Sequence, residues 1–289
     1  MVSFEEIRQG LYLLKVPFSG LWTGVVLVTG EENCLIDRGA VSEDVDGCIL
    51  PALAELGLGL SDIRWLLNTH SHGDHIGGHA RLRELAPVPV AAHISSAPKV
   101  ENPVPYAIKT RTQFPEYSPA PQCYLKGVPV DRVLEDGEVI AGRLQVIHTP
   151  GHDDDCVCWY DLATKTLITG DSLQGNGTPA QGIGFYKSLE QYLASLEKLR
   201  KLGAENILCG HEYDGIGWNV EGADGTESCL ETCRLCTEEY HAFILERQLR
   251  GETDPAAIAE KLILERGCGM PSKLFMALYT VTQHLKKMD

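Results

Sequence analysis

The stretch "THSHGDHIGG", residues 69–78, sets three histidines and an aspartate within six positions, with Gly73 among them and Gly77 and Gly78 after. His70 and His72 alternate, so on an extended segment their imidazoles point the same way, and Gly73 permits the turn that brings in Asp74 and His75. Four groups able to bind a metal cannot all be satisfied as ordinary core residues at this density. Whatever fold the chain adopts has to bring further ligands to this segment.

Candidates lie far away in sequence: "HTPGH" at 148–152, "TGD" at 169–171 and "CGHEY" at 209–213, each closing a run that reads as a strand. Both His148 and His152 qualify by type. His148 ends the strand "RLQVIH", whereas His152 follows Pro150 and Gly151 in a turn that can swing its ring aside. Imidazole and carboxylate together suit zinc, with iron and manganese also accepted. Five histidines and two aspartates suffice for two ions sharing a carboxylate. His79 and His93 stand in ordinary surroundings and read as core histidines.

Short runs such as "LYLLKV", "GVVLVTG" and "NCLID" predict hairpin strands in the first half. A helix is expected from Ser42, as N-cap, to Gly57, with Pro51 in its middle. "IRWLLN" reads as a buried strand that delivers the histidine cluster, and strand ends are where open α/β folds place their chemistry. Six prolines between 95 and 126 predict an irregular loop packed over something, a candidate lid with Tyr106, Phe114, Tyr117 and Tyr124 as its apolar surface. Strands resume at "RLQVIHT", "CVCWY" and "TLITGD". A helix with Leu189, Tyr192, Leu193, Leu196 and Leu199 on one stripe follows. After "NILCGHEY" the chain is expected to turn helical, at about 226–250, 254–266 and 272–288.

With 289 residues and 44% hydrophobic content, the chain can bury a large core. Its 25 basic and 40 acidic residues give a net charge of −15, which repels nucleic acid and disfavours polyanionic substrates. No secretory pattern and no run of 18 apolar residues is present, so a cytoplasmic protein with no membrane partner is expected, its ten cysteines reduced. "CLETCRLC" resembles the cluster-binding motif of radical enzymes. Its spacing equally places Cys229, Cys233 and Cys236 on one helical face that Tyr240 continues, where free cysteines pack as small hydrophobes.

The ordered motifs H-x-H-x-D-H (70–75), P-G-H (150–152), G-D (170–171) and G-H (210–211), with "LIDRGA" at 35–40, resemble the metallo-β-lactamase superfamily from about residue 10 to 213. The resemblance implies an α/β fold, the αββα metallo-β-lactamase sandwich, with a catalytic domain over 1–222 and a C-terminal helical extension over 223–289. It also implies that His70, His72 and His152 hold one divalent metal, that Asp74, His75 and His211 hold the other, that Asp171 bridges them, and that Asp37 supports them from outside. Two such ions, zinc foremost with iron or manganese as alternatives, would carry a bridging hydroxide that hydrolyses a small thioester, lactone or ester. Asp74 would pass a proton to the leaving group.

"CGHEYD" is similar to the glyoxalase II thioesterases, which also carry a helical tail. At "GFYKS" the match is partial: Tyr186 agrees, and Gly184 stands where that family has lysine. Tyr186 and Tyr213 are the expected substrate contacts. The 205–239 stretch, with nine acidic residues and Arg234 as the single basic one, is a poor cradle for an anionic thiol. "HTPGHDDDC" is similar to the mononuclear iron persulfide dioxygenases, which stand as the alternative, with an RNA-processing nuclease behind them. The expected partner is a small molecule, and a homo-oligomer is compatible with the sequence.

Overall fold

The structure, a computed structural model, describes residues 2–267 and 274–287. Its first sheet sets β1 (Glu5–Arg8), β2 (Leu11–Phe18), β3 (Leu21–Val28), β4 (Asn33–Ile36) and β5 (Ile63–Leu67) side by side in chain order. A small parallel pair, β6 (Ala91–His93) and β7 (Arg132–Leu134), lies beside it, with Leu66 bridging to Val90. The second sheet is built from β8 (Val139–Ile140), β9 (Leu144–His148), β10 (Val157–Asp161), β11 (Thr166–Gly170), β12 (Asn206–Tyr213) and β13 (Gly217–Glu221). These six also follow chain order across the sheet. In both sheets neighbours are antiparallel except β4 with β5 and β11 with β12. Parallel neighbours need a crossover, and helices supply it in both places.

Side-chain alternation decides the layers. In β2 and β3, Leu11, Leu13, Val26 and Val28 turn inward, and they meet Val146, Val157, Trp159, Ile168 and Leu208 from the second sheet. The intervening Leu14, Val16, Val25 and Leu27 turn outward against Val45, Ile49, Leu53 and Leu82. On the far side Ile147, Cys158, Leu167 and Ile207 turn outward against Leu196, Leu199, Tyr240, Ile258 and Leu278. Helix, sheet, sheet and helix therefore stack as four layers, the αββα arrangement.

The first crossover comprises α1 (Ser42–Asp44), a π turn (Val45–Ile49) and α2 (Leu50–Glu55). Ser42 lies one residue inside this helix, and Val41 is the N-cap. The Asp44 carboxylate, at N3, reaches back to accept the backbone N–H groups of Ala40 and Val41 at 2.7 and 3.1 Å, and so ties down the helix start from inside rather than from the N-cap. Pro51 enters in the first turn of α2, directly after the π turn. The ladder is already interrupted there, so its missing N–H costs little. The histidine segment continues through α3 (Gly73–Ile76) into α4 (His79–Leu85). Gly77 is required beside it, because a Cβ there would meet the Ala40 carbonyl oxygen at 1.8 Å.

The proline-rich segment is more regular than expected, since it forms α5 (Ala97–Glu101) and α6 (Val104–Thr112). Pro98 and Pro105 fall in first turns and Pro103 is the N-cap of α6, positions where no intrahelical N–H bond is lost. α7 (Leu189–Leu202) runs along the second sheet, capped by Ser188 Oγ, which accepts from the Gln191 N–H, and closed by Gly203 at φ +67°. After β12 the chain makes one more strand before the tail. β13 escapes sequence pattern because none of its five residues is buried.

The tail comprises α8 (Ala223–Leu249), α9 (Pro255–Glu265) and α10 (Leu274–Lys286). The expected start of its last helix at 272 lies outside the described residues. Cys229, Cys233 and Cys236 share one buried face of α8 with Tyr240 and join the core with Leu196 and Ile207. The nine described cysteines are all free. Among the described residues, no helix is long and apolar enough to cross a membrane.

Candidate metal centre

Strand ends converge at one rim of the sandwich. His70 and His72 follow β5, Asp74 and His75 open α3, His152 sits in the turn after β9, Asp171 follows β11, and His211 lies in β12. The Thr69 carbonyl accepts from Val157 N–H at 2.8 Å and the Asn68 carbonyl from Trp159 Nε1 at 3.0 Å, so the histidine segment is stitched to the opposite sheet. Gly170 makes the approach possible. Its φ is +50°, and a Cβ would stand 2.3 Å from Thr69 Oγ1.

Two groups of potential ligand atoms result, His70, His72, His152 and Asp171 in one and Asp74, His75 and His211 in the other, with all atoms of each group within 4.8 Å of one another. Asp171 serves both. Its Oδ1 lies 3.4 Å from both His75 Nε2 and His211 Nε2, and its Oδ2 lies 3.5 Å from His152 Nε2. Asp74 Oδ2 stands 3.3 Å from His211 Nε2.

Each imidazole is anchored by one nitrogen and turns the other inward. Asp37 accepts from Thr69 N–H and Thr69 Oγ1–H, each at 2.8 Å. With its one hydrogen spent, the Thr69 oxygen accepts from His70 Nδ1–H at 3.1 Å. His75 Nδ1–H donates to Asp37 Oδ2 at 2.8 Å, His152 Nδ1–H to the Phe185 carbonyl at 2.8 Å, and His211 Nδ1–H to the Trp22 carbonyl at 2.7 Å. His72 is reversed: its Nε2–H donates to Asp153 Oδ2 at 2.9 Å, which leaves Nδ1 inward, 3.0 Å from His152 Nε2. The inward lone pairs are the ones a cation would take. Indeed His70 Nε2, His75 Nε2 and Asp171 Oδ1 are buried with no hydrogen-bond partner, a costly state that a metal relieves. The donor set fits divalent ions.

Electrostatics agrees with this arrangement. Burial, aided by His75 and His72, pushes His70 well below the ordinary imidazole range, and burial takes His152 down to about 4. Both are thus neutral ligands at physiological pH. Burial works against charge on Asp171, yet His211 and His75 hold it well below the usual carboxylate range. His75 is the exception: burial opposes its charge, but Asp74, Asp171 and Asp37 lift it well above the usual value, so the surrounding carboxylates favour a cation at its inward nitrogen, a proton or a metal ion that displaces it.

Several supports carry no sequence signal of their own. Asp153 and Lys99 do most of this work. Lys99 Nζ sits among Asp153, Asp154 and Asp155, 3.0 Å from Asp153 Oδ1 and 2.8 Å from Asp155 Oδ1. Burial disfavours its charge, but Asp155 and Asp153 outweigh that and raise it. Lys99, with Lys187 on Asp153, therefore offsets much of the charge of that acidic trio. Asp37 adopts φ +58°, a left-handed conformation that aspartate tolerates better than most residues.

His148 stands apart from the cluster, stacked on His93 at 4.5 Å. His79 is buried in α4, and neither of its ring nitrogens has a partner. A cavity of about 400 Å³ opens over the cluster, and its wall includes Tyr106, Arg111 and Gln122 from the proline-rich segment and Phe275 and Met276 from the tail. Tyr186 and Tyr213, the expected substrate contacts, are both buried, and neither is among the residues that line the cavity. Tyr186 stacks on Tyr192 at 4.9 Å and bonds His284 Nε2 through its hydroxyl at 2.6 Å, while Tyr213 Oη accepts from Gln174 Nε2 at 3.3 Å. Phe185, one residue earlier, takes the cavity position and stacks over His72. Tyr186→Phe should therefore lower stability by about 1–3 kcal/mol, the cost of leaving a buried histidine nitrogen unpaired. Urea unfolding beside a KM measurement checks this; a raised KM at unchanged stability would restore Tyr186 to the substrate.

Four stacked layers carry a split cluster of five histidines and two aspartates at their rim, able to hold metal. Residues 23–211 match the Metallo-beta-lactamase superfamily, and the chain belongs to it. It is 31% identical to a hydroxyacylglutathione hydrolase of Methylococcus capsulatus over 77% of this chain and 74% of that one. It is 26% identical to an atrochrysone carboxyl ACP thioesterase of Aspergillus fumigatus over 68% of this chain and 50% of that one. The chain spans about half the length of the fungal relatives it matches. A metallo-beta-lactamase family protein of Thermus thermophilus superposes with a TM-score of 0.75 at 25% identity, covering 98% of this chain and 95% of that one.

Proposed function

We propose that the chain is a hydrolase of a small thioester, lactone or ester that works with two divalent ions, zinc foremost. His70, His72, His152 and Asp171 would hold one, and Asp74, His75, His211 and Asp171 the other. The observation that supports this best is the split anchoring, with every outward nitrogen engaged by the chain and every inward one turned to a space shared around Asp171. A purely structural zinc site closes with four ligands and needs no cavity above it. A mononuclear iron oxygenase would leave Asp74, His75 and His211 without a task, and the net charge of −15 disfavours a nuclease.

When bound, the ions supply Lewis acidity, which acidifies water and draws charge from an acyl oxygen. The chain supplies the rest. Asp37 and Asp153 fix the rings of His75 and His72. Asp74 faces the cavity and meets Thr23 Oγ1 and the two imidazoles through Oδ2, which leaves Oδ1 to carry a proton to the leaving group. Phe185, Phe275 and Met276 exclude water from one wall. In this reading residues 1–222 carry the chemistry and residues 223–289 shape the cavity. Two relatives, a hydroxyacylglutathione hydrolase and an ACP thioesterase, favour thioesters among the substrates. Zinc-reconstituted protein assayed on a panel of thioesters, lactones and esters should turn over at least one class. No hydrolysis across the whole panel would sink the reading.

A further inference from the structure

The cavity over the cluster contains a cation that the scheme above leaves unused. Arg111, near the end of α6, lines the cavity beside Phe275, with its guanidinium carbon 4.2 Å from the centre of that ring. Its Nη1 is buried with no hydrogen-bond partner. Arginine stays protonated in proteins, so a charged donor is left unmet at the wall of the cavity.

Neighbouring cations are different. Lys99 is committed to Asp153, Asp154 and Asp155, and Lys187 to Asp153 and Thr110. Arg111 has no such carboxylate among the described residues. Phe275 supplies the apolar face against Arg111, and Met276 and Leu125 add apolar surface elsewhere in the same cavity.

We infer that Arg111 recognises a carboxylate on the substrate, which makes the hydrolysed molecule a monoanion with an apolar part beside its charge. This inference rests on the hydrolase reading. One planar guanidinium backed by an aromatic face suits a single carboxylate, which it can grip with two parallel N–H bonds. A phosphate dianion would need a second cation, and the nearby lysines are spent. Asp74 and Asp153 also border the cavity and repel a denser charge.

The test compares zinc-loaded wild type, Arg111→Met and Arg111→Lys, with zinc content checked in each. Two substrate pairs place the carboxylate on either side of the scissile bond: S-acetyl-3-mercaptopropionate against its methyl ester, and the S-phenyl monothioester of succinate against S-phenyl thiobutyrate. In at least one pair the wild type should prefer the charged member, and Arg111→Met should lower the charged-to-neutral ratio of kcat/KM by about tenfold or more, the scale of a charge-assisted hydrogen bond. Arg111→Lys, which keeps the charge and loses the fork, should fall between. Ratios that Arg111→Met leaves unchanged in both pairs overturn the inference. Calorimetric binding of succinamate against neutral succinamide supplies a readout that needs no turnover. If no thioester is cleaved yet succinamate binding weakens about tenfold in Arg111→Met, the hydrolase reading fails and Arg111 keeps its role. If succinamate binds Arg111→Met as it binds wild type, the carboxylate goes elsewhere and the inference fails.

Discussion

Asp171→Ala is expected to abolish hydrolysis and to drop the zinc content from two equivalents to fewer than one. The two oxygens of Asp171 face different groups, Oδ1 toward His75 and His211 and Oδ2 toward His152 and, at 3.9 Å, His70. In the two-ion reading alanine would therefore remove one ligand from each site at once. It also removes the charge that offsets two cations in a buried space. Losing an outer partner of a metal ligand typically costs about 10–100-fold, and losing a shared direct ligand should exceed that by a wide margin. Zinc analysis of dialysed protein, with the rate at saturating zinc, checks both parts. Wild type that plateaus at one equivalent, or a variant that keeps two and turns over, would show that Asp171 bridges nothing.

The second large effect separates two histidines four residues apart. His152→Ala should cost orders of magnitude in rate even at saturating zinc, because its Nε2 lies 3.0 Å from His72 Nδ1 and 3.5 Å from Asp171 Oδ2, within the cluster. His148→Ala should cost little beyond stability. Its ring stacks on His93 and its Nε2 meets the Asp154 carbonyl at 3.0 Å, so it touches the site only through the loop that carries Asp153. Equal losses, or a larger one at His148, would mean that the wrong ring has been placed in the centre. Rescue by imidazole in the assay should appear for His152→Ala alone.

The two histidines illustrate what sequence reading can reach. His152 is separable from His148 because Pro150 and Gly151 mark a turn, and backbone chemistry of that kind is local. The strands with two apolar faces are legible for the same reason, as alternation needs only neighbours. β13 is not, since its residues are partly exposed and bear no pattern. Nor are α5 and α6, where six prolines suggest irregularity although three of them sit at helix starts. Proline counts do not carry position within an element. The cavity contact expected of Tyr186 falls one residue away: adjacent side chains on an extended segment face opposite ways, so Phe185 takes the cavity and Tyr186 the core.

The sequence by itself determined the superfamily and the candidate ligands that the fold gathers at one rim, because metal chemistry demands particular residue types and the motifs that carry them are short and contiguous. The tertiary structure alone decided which nitrogen of each imidazole faces inward, since that depends on partners distant in the chain, such as Asp153 for His72 across 81 residues and Trp22 for His211 across 189. It also decided that Lys99 pairs with the aspartates beside His152, and that α6 places Arg111 over the cluster. Hydrophobic periodicity tells each element which face to bury but not against what. The cavity, which lies between elements joined only by long-range packing, therefore exists nowhere in the sequence until the sheets close.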